Sequence, residues 1–378
     1  MISYIKKQLS QRFNLYKANQ EMVSNPLADL KFLENGLCVK NEESGSDDKV
    51  LVMRLIDAYH ASKEFQKGVA LPYQPGGQWQ FDINARRSEY LAALNARDID
   101  SLSELLSNFL RNSGIAGLWR YAYFDEIKSA PISKKKIYIN QLMRDIKIVS
   151  DFVDGFEIPH LAMPVIGNPW GYLIDGILVW PTASGHYLHA THVSNLIRDI
   201  EYPIAVEIGG GFGGFAQYLI SRDENVKFIS FDLPEIILIQ QYFLMKAFPE
   251  KNFLLYGEEK QKELSPEILD KYDLILMPNF SLPDLADRVA DIFVNVHSLS
   301  EMDYHTVEEY IHQITRTTKQ YFLHENSDIA KMNQNRGGFV EVVSKEFPVP
   351  KNEFKRIYKH NSPFGTRYRE HLYQRIAT

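Results

Sequence analysis

The sequence predicts an α/β protein: a mostly parallel sheet in the C-terminal part, preceded by a mainly α-helical region. Three observations lead there. Strand-like and helix-like runs alternate between residues 202 and 326. One glycine cluster, VEIGGGFGG (206–214), joins an apolar run to a helical one. The first 160 residues show helical spacing and almost no strand pattern. At 378 residues the chain is about twice a usual single domain. The expected division is 1–160, a helical region that shapes a pocket, and 161–378, which carries the sheet.

The elements follow in order. Residues 1 to about 33 alternate polar and apolar positions at helical spacing and read as one or two surface helices. NEESGSDDK (41–49) reads as a polar loop that starts a helix, and LVMRLIDAYHASKEF (51–65) as that helix. LPYQPGGQW (71–79), with two Pro and a Gly pair, reads as a loop. Residues 85–112 predict two helices, with Asp98 or Ser101 as N-cap. KKK (134–136) reads as a surface loop. PVIGNPWGYLIDGILVWP reads as a turn and a short hairpin, and GHYLHATHVSNLIRDI (185–200) as a helix. Strands are then expected at YPIAVEIG (202–209), VKFISFD (226–232), NFLLYG, DLILMPNF, DIFVNVHS (291–298) and KQYFLHEN (319–326). The intervening helices are long enough for parallel βαβ units with both sheet faces covered. The stretch 339–378 is expected to add antiparallel edge strands.

Composition narrows the function. Apolar residues make up 45% and charged residues 24%, which is the profile of an ordinary folded protein. The net charge of −6 argues against a partner made of nucleic acid, since duplex binders carry a basic excess. A single cysteine, Cys38, excludes an internal disulfide, and the N-terminus lacks a signal-peptide pattern, so the expected location is the cytoplasm. No window approaches 18 uninterrupted apolar residues, so no membrane-spanning helix is expected. A homo-oligomer stays open.

The glycine cluster carries the chemistry. Glycines let the backbone turn sharply and approach a ligand, and the helix that follows offers unpaired N–H groups. Asp232 ends the next strand, where a carboxylate can accept both ribose hydroxyls of a nucleoside. Gly209, Gly211 and Gly214 satisfy the dinucleotide pattern G-x-G-x-x-G, which would make the protein an NAD-type oxidoreductase. Glu207, Gly209, Gly211 and Gly213 satisfy the S-adenosylmethionine loop. Charge favours the second: a pyrophosphate is repelled by Glu207, whereas an ammonium and a sulfonium are attracted. A structural glycine turn without a ligand is the third reading.

The core 202–326 resembles the class I S-adenosylmethionine-dependent methyltransferases, with their Rossmann-like sheet. FDLPEII (231–237) resembles the small-molecule O-methyltransferases. IGNPWGYLIDG, GHYLHATHVSNLI, VEIGGGFGGFAQYL, FVNVHSLSEM and YFLHEN, with LLSNFLRNSGIAGLW (105–119), together resemble the sugar O-methyltransferases of bacterial polysaccharide clusters. The resemblance implies S-adenosyl-L-methionine as cofactor, S-adenosyl-L-homocysteine as product, and a saccharide or other small molecule as acceptor. It assigns the cofactor loop to Glu207, Gly209, Gly211 and Gly213, the ribose ligand to Asp232, and an adenine contact to Leu233. Asn279 and Phe280 fall where such enzymes touch the adenine ring, although the common Gly-Asp pair is absent. Where the small-molecule enzymes carry a His-Asp pair, this chain has Ser300 and Glu301.

The base must therefore be sought nearby. A hydroxyl needs a group that takes its proton near neutral pH, and histidine suits that task. His297 lies at the C-terminal end of its strand, with Glu301 four residues on to orient or assist it; the alternative is a buried strand-end histidine. His186, His189 and His192 are spaced by three, so that His189 and His192 share a helix face. They are candidates for base, for substrate contact (His192), for a metal or for packing. Metal independence is expected, because Cys38 is remote and no acidic cluster stands out. Asn326 is either a hydroxyl ligand or a cap. The tail from Lys351 holds seven Lys or Arg against two Glu, a solvated face or a site for an anionic acceptor. The rivals to a sugar O-methyltransferase are another small-molecule or aromatic O- or N-methyltransferase, the oxidoreductase, and a related subunit without catalysis.

Overall fold

The computed structural model describes residues 29–40, 47–112, 114, 124–260, 263–330, 332–333 and 339–376. The helices expected before residue 29, the loop at 41–46 and the resemblance at 115–119 lie outside the described residues.

The helical region contributes α1 (Leu30–Cys38), α2 (Asp47–Gln66), α3 (Gly77–Arg86), α4 (Ser88–Ala96), α5 (Ile99–Ser107), α6 (Phe124–Lys128) and α7 (Ile132–Phe152). Two expectations need correction. Gly77 begins a helix, so Trp79 stands on α3 and not in a loop. Lys134–Lys136 lie on α7, because the apolar spacing of Ile139, Leu142, Met143 and Val149 outweighs the lysine run. The two helices expected within 85–112 are α4 and α5. Asp98 is the N-cap of α5, accepting from the Ser101 N–H at 3.0 Å.

The hairpin β1 (Tyr172–Ile174) and β2 (Ile177–Val179) leads into α8 (Ala183–Ile197). The main sheet is built from β3 (Ile204–Ile208), β4 (Lys227–Asp232), β5 (Phe253–Leu255), β6 (Leu274–Pro278), β7 (Ala290–Val296) and β8 (Thr318–Ser327). A minor pair, β9 (Met332–Asn333) and β10 (Phe339–Val340), precedes β11 (Phe354–Asn361) and β12 (Tyr368–Arg375). The order is β11-β12-β8-β7-β3-β4-β6-β5. The six central strands run parallel, and β12 and β11 add the expected antiparallel edge. The crossover helices are α9 (Gly214–Arg222), α10 (Pro234–Ala247), α11 (Pro266–Lys271) and α12 (Tyr304–Thr317).

The winding fixes where a ligand can sit. From β3 the chain moves outward through α9 to β4 and on to β5 at the edge, then returns to β6 between them. It then crosses back to β7 on the other side of β3, and on to β8. Connections leave the neighbours β3 and β7 in opposite directions, which opens a crevice at their carboxyl ends. Successive residues of β3 serve opposite faces. Ala205 joins an apolar cluster with Leu94, Leu106 and Phe109 of the helical region, and Val206 joins another with Val307 and Ile314 of α12. Phe109 packs against Phe212, Tyr242 and Phe243, so the helical region and the sheet share one core. Truncating so buried a phenylalanine typically costs about 3–5 kcal/mol.

Candidate active site

The glycine loop follows β3 directly. Gly209, Gly211 and Gly213 adopt φ of 73°, 60° and 94°, the left-handed region that side chains avoid. The loop is also tight. A Cβ on Gly209 would sit 2.2 Å from Ser298 Oγ, and one on Gly210 would sit 2.4 Å from Glu207 Oε2. Gly209 N–H donates to the Phe231 carbonyl at 2.9 Å, and Gly211 N–H to Asp232 Oδ2 at 3.2 Å. Asp232 Oδ1 accepts from Leu233 N–H at 2.8 Å.

Two carboxyls converge behind this loop. Burial, with the Asp232 charge adding to it, pushes Glu207 up to about 8; Gln240 Nε2 at 3.4 Å from Oε2 opposes the shift. Burial raises Asp232 to about 7, against the Leu233 and Gly211 N–H groups and the buried Arg87. Arg87 is itself lowered to about 10 by burial. A pocket that holds two strained carboxyls favours a cationic guest over an anionic one.

Across the crevice, β7 ends in His297, which has a φ of 70°, unusual for a bulky residue. Its backbone N–H donates to the Glu325 carbonyl at 2.7 Å, and its Nε2 lies 2.9 Å from Glu325 Oε1. The ring stacks on Tyr368 with centroids 4.1 Å apart. Glu325 is buried on β8 and held well below the usual carboxylate range by His189 and His297, whose hydrogen bonds overcome its burial. An ionised carboxylate only accepts, so Nε2 carries the proton and Nδ1 is left as acceptor.

The three histidines of α8 part company. His189 is buried, with Nε2 3.4 Å from Glu325 Oε2 and 3.6 Å from Glu370 Oε2. Burial lowers its pKa, yet the two carboxylates lift it to about 8. His192 lies 3.3 Å from Glu370 Oε1 and stacks on Tyr358. His186 is pressed beside Gly214 and Phe212, and burial drops it to about 3.

Most of these groups open into one cleft of about 820 Å³; His192, expected to contact the substrate, is not on its walls, nor are Glu370 and Gly213. Its walls include Glu207, Gly209–Gly211, Asp232, Leu233, Asn279, His189, His297, Glu301 and Glu325. Trp79 and Gln78 of α3, Gln141 of α7 and the turn Ser362–Tyr368 complete it. Glu207, Gly209, Gly211, Asp232, Leu233 and His297 are therefore brought together, while Gly213 sits behind them as the cap of α9, and two further adjustments follow. The carboxylate bonded to His297 Nε2 is Glu325, while Glu301 Oε2 accepts from Trp79 Nε1 at 3.1 Å. Phe280 turns into the core against Tyr256 and Phe65, leaving Asn279 on the wall.

Known proteins resemble the chain only in part. No family model matches it. Over 136 residues it is 26% identical to a tRNA (guanine-N(7)-)-methyltransferase of Clostridium perfringens, across 36% of this chain and 57% of that one. The chain thus spans little more than half the length of the curated relative it matches. Among solved structures it is similar to the magnesium protoporphyrin IX methyltransferase of Synechocystis with bound S-adenosylhomocysteine. There the identity is 15%, 51% of this chain and 84% of that chain are covered, and the TM-score is 0.36. It is also similar to the N-methyltransferase NodS of Bradyrhizobium japonicum, with 10% identity, coverage of 52% and 89%, and a TM-score of 0.34. The pyocyanin biosynthetic protein PhzM aligns over the whole of both chains at 10% identity, with a TM-score of 0.39.

Asn326 does not reach the cleft wall. It is fully buried, accepting from Ser300 N–H at 3.0 Å and donating to Asn295 Oδ1 at 2.8 Å. Its neighbour Glu325 points the other way, as strand alternation requires, and is the residue that meets His297. Of the His-Glu-Asn run, the middle residue is the one that lines the cleft. Only the facing of β8 identifies it, and that facing depends on which strands flank β8. Glu370 and Arg87 carry no sequence motif. Among the described residues, no helix is long and apolar enough to cross a membrane.

Proposed function

We propose that the protein is an S-adenosylmethionine-dependent O-methyltransferase acting on a hydroxyl of a small molecule, most simply a saccharide. One observation carries the reading: the acidic glycine loop and the His297–Glu325 pair open into the same cleft at the switch point of the sheet. The cofactor site fits its guest. Glycine backbone at 209–211 leaves room that a Cβ would fill. Glu207 and Asp232 offer negative charge to a sulfonium and an ammonium. Asn279 Oδ1, buried on the wall without a hydrogen bond, is an acceptor suited to an adenine amino group. When bound, the cofactor supplies an electrophilic methyl carbon.

The chain's own residues do the rest. His297 takes the hydroxyl proton at Nδ1, and Glu325 holds the opposite N–H and stabilises the imidazolium that results. The stacked Tyr368 ring fixes the plane of the imidazole. Gln74, Gln78, Gln141, Thr366 and Arg367 line the outer cleft and match a hydroxyl-rich acceptor; Trp79 and Phe364 supply flat apolar faces. The saccharide assignment rests on this lining and on the sequence resemblance. The test is mass spectrometry of nucleotide-sugars and oligosaccharides incubated with protein and S-adenosylmethionine. A product heavier by one CH₂ supports the reading. Binding of NADH, with none of S-adenosylhomocysteine, overturns it.

A further inference from the structure

Glu325 and Glu370 are direct partners across the antiparallel β8–β12 ladder, and both are buried. Like charges opposite one another destabilise a sheet, more so out of water. Something positive must stand between them. What stands there is His189 Nε2, at 3.4 and 3.6 Å from the two Oε2 atoms.

We infer that His189 Nε2, Glu325 Oε2 and Glu370 Oε2 form a binding site for one divalent transition-metal cation, of the Zn²⁺ or Mn²⁺ class, on the acceptor side of the cleft. The three atoms lie within 4.8 Å of one another. Ligands about 2.1 Å from a tetrahedral metal stand about 3.4 Å apart, matching the two measured separations. Glu325 Oε2 is buried and faces this point, its nearest polar partner being His189 Nε2 at 3.4 Å; the Glu325 side chain is 3% exposed.

The surrounding groups prepare the ligands. His297 holds Glu325 by Oε1. Tyr358 OH donates to Glu370 Oε1 at 2.7 Å, with His192 and His360 each 3.3 Å from the same oxygen. Both carboxylates are thus gripped by Oε1 and turn Oε2 to the common point. His189 turns Nε2 to the two carboxylates, which leaves Nδ1 to carry the proton when Nε2 ligates a metal. Outer partners that hold a ligand's second atom are the usual companions of a metal site. The mixed N and O donors suit zinc or manganese better than magnesium. His189 and Glu325 line the cleft, so the remaining coordination positions open toward the acceptor. This inference deepens the proposed function and rests on it for the identity of the acceptor. The binding of the ion itself stands alone.

The test uses untagged, full-length protein. Metal analysis should find about one equivalent of zinc or manganese. Chelator-stripped protein should rebind Zn²⁺ or Mn²⁺ in calorimetry. His189→Ala and the near-isosteric Glu370→Gln should each weaken binding beyond the roughly 10–100-fold cost of losing an outer partner. Bound Mn²⁺ should keep exchangeable water, read as enhanced proton relaxation. S-adenosylhomocysteine binding and melting curves report whether each variant is folded. No equivalent of metal together with no binding tighter than millimolar overturns the inference and leaves His189 as an imidazolium between two carboxylates. So does unchanged affinity in both folded variants, which would put the ion elsewhere. Loss of S-adenosylhomocysteine binding in metal-replete wild type would instead break the methyltransferase reading while leaving the ion site intact.

Discussion

The two walls of the cleft are built by different rules. The proposed cofactor wall comes from nearly contiguous sequence: Glu207 to Phe212, then Asp232 and Leu233 at the end of the neighbouring strand. The proposed acceptor wall collects His189 from α8, His297 from the end of β7 and Glu325 from β8, with Glu370 of β12 behind them. One wall depends on backbone shape, the other on side-chain charge relayed across strands. Backbone shape is set locally, and so the first wall is a motif. A charge network has no such linear signature. If the division is real, changes on one wall should spare the other.

The largest effect should come from the backbone. Gly209→Val places a branched side chain at φ 73° and into Ser298. Calorimetry should show S-adenosylmethionine and S-adenosylhomocysteine affinity falling by at least roughly 100-fold, with the fold retained. Affinity close to wild type would remove the loop from the cofactor site.

His297→Ala tests the opposite wall. Single-turnover rates at saturating cofactor should drop by roughly two to four orders of magnitude, the usual contribution of general-base catalysis. Cofactor affinity should change by less than about threefold, since Glu207 and Asp232 are untouched. A rate loss in His189→Ala but none in His297→Ala would move the base onto α8.

A smaller effect should come from protons. Glu207 and Asp232 are raised to about 8 and about 7, chiefly by burial, with Gln240, Arg87 and Glu235 as their other neighbours. A protonated carboxyl offers a cation nothing. Cofactor affinity should therefore be greatest above both values and fall as pH drops through 8 toward 6, by about tenfold. Binding near pH 7 should release protons, seen as a buffer-dependent enthalpy. A flat affinity profile would show that the guest does not draw on these charges.

The smallest functional effect should come from Asn326→Ala. It removes the partner of Ser300 N–H and of Asn295 Oδ1, both buried. Urea unfolding should show a loss of about 1–3 kcal/mol, while S-adenosylhomocysteine affinity shifts by no more than about twofold. A turnover defect with unchanged stability would return Asn326 to the acceptor site.

The legibility of the chain follows the same division. Every main-sheet strand from 202 to 326 is readable, because apolar runs of strand length alternate there with helical runs. Trp79 was misread as loop: Pro72, Pro75 and the Gly pair outweigh the pattern of α3 that begins inside them. Its indole N–H on Glu301 joins the helical region to the cleft, a contact 222 residues apart in sequence. The helical region also supplies the buried Arg87 that faces Asp232, and nothing in its local sequence distinguishes that arginine from a surface one.

The sequence by itself determined the α/β class, the acidic glycine loop and the carboxylate at the next strand end. Each of these needs only short-range geometry: a period of two or 3.6, or a backbone turn that glycine alone permits. Tertiary structure decided the partner of His297. The spacing nominated Glu301, four residues away, but parallel pairing sets Val296 of β7 beside Glu325 of β8, and so brings that carboxylate to the end of the neighbouring strand. Antiparallel pairing then sets Glu370 opposite Glu325, and α8 lays His189 between them. Strand order and register are collective properties of the whole sheet, and a residue's charge environment, unlike its backbone preference, is inherited from whatever that packing brings alongside.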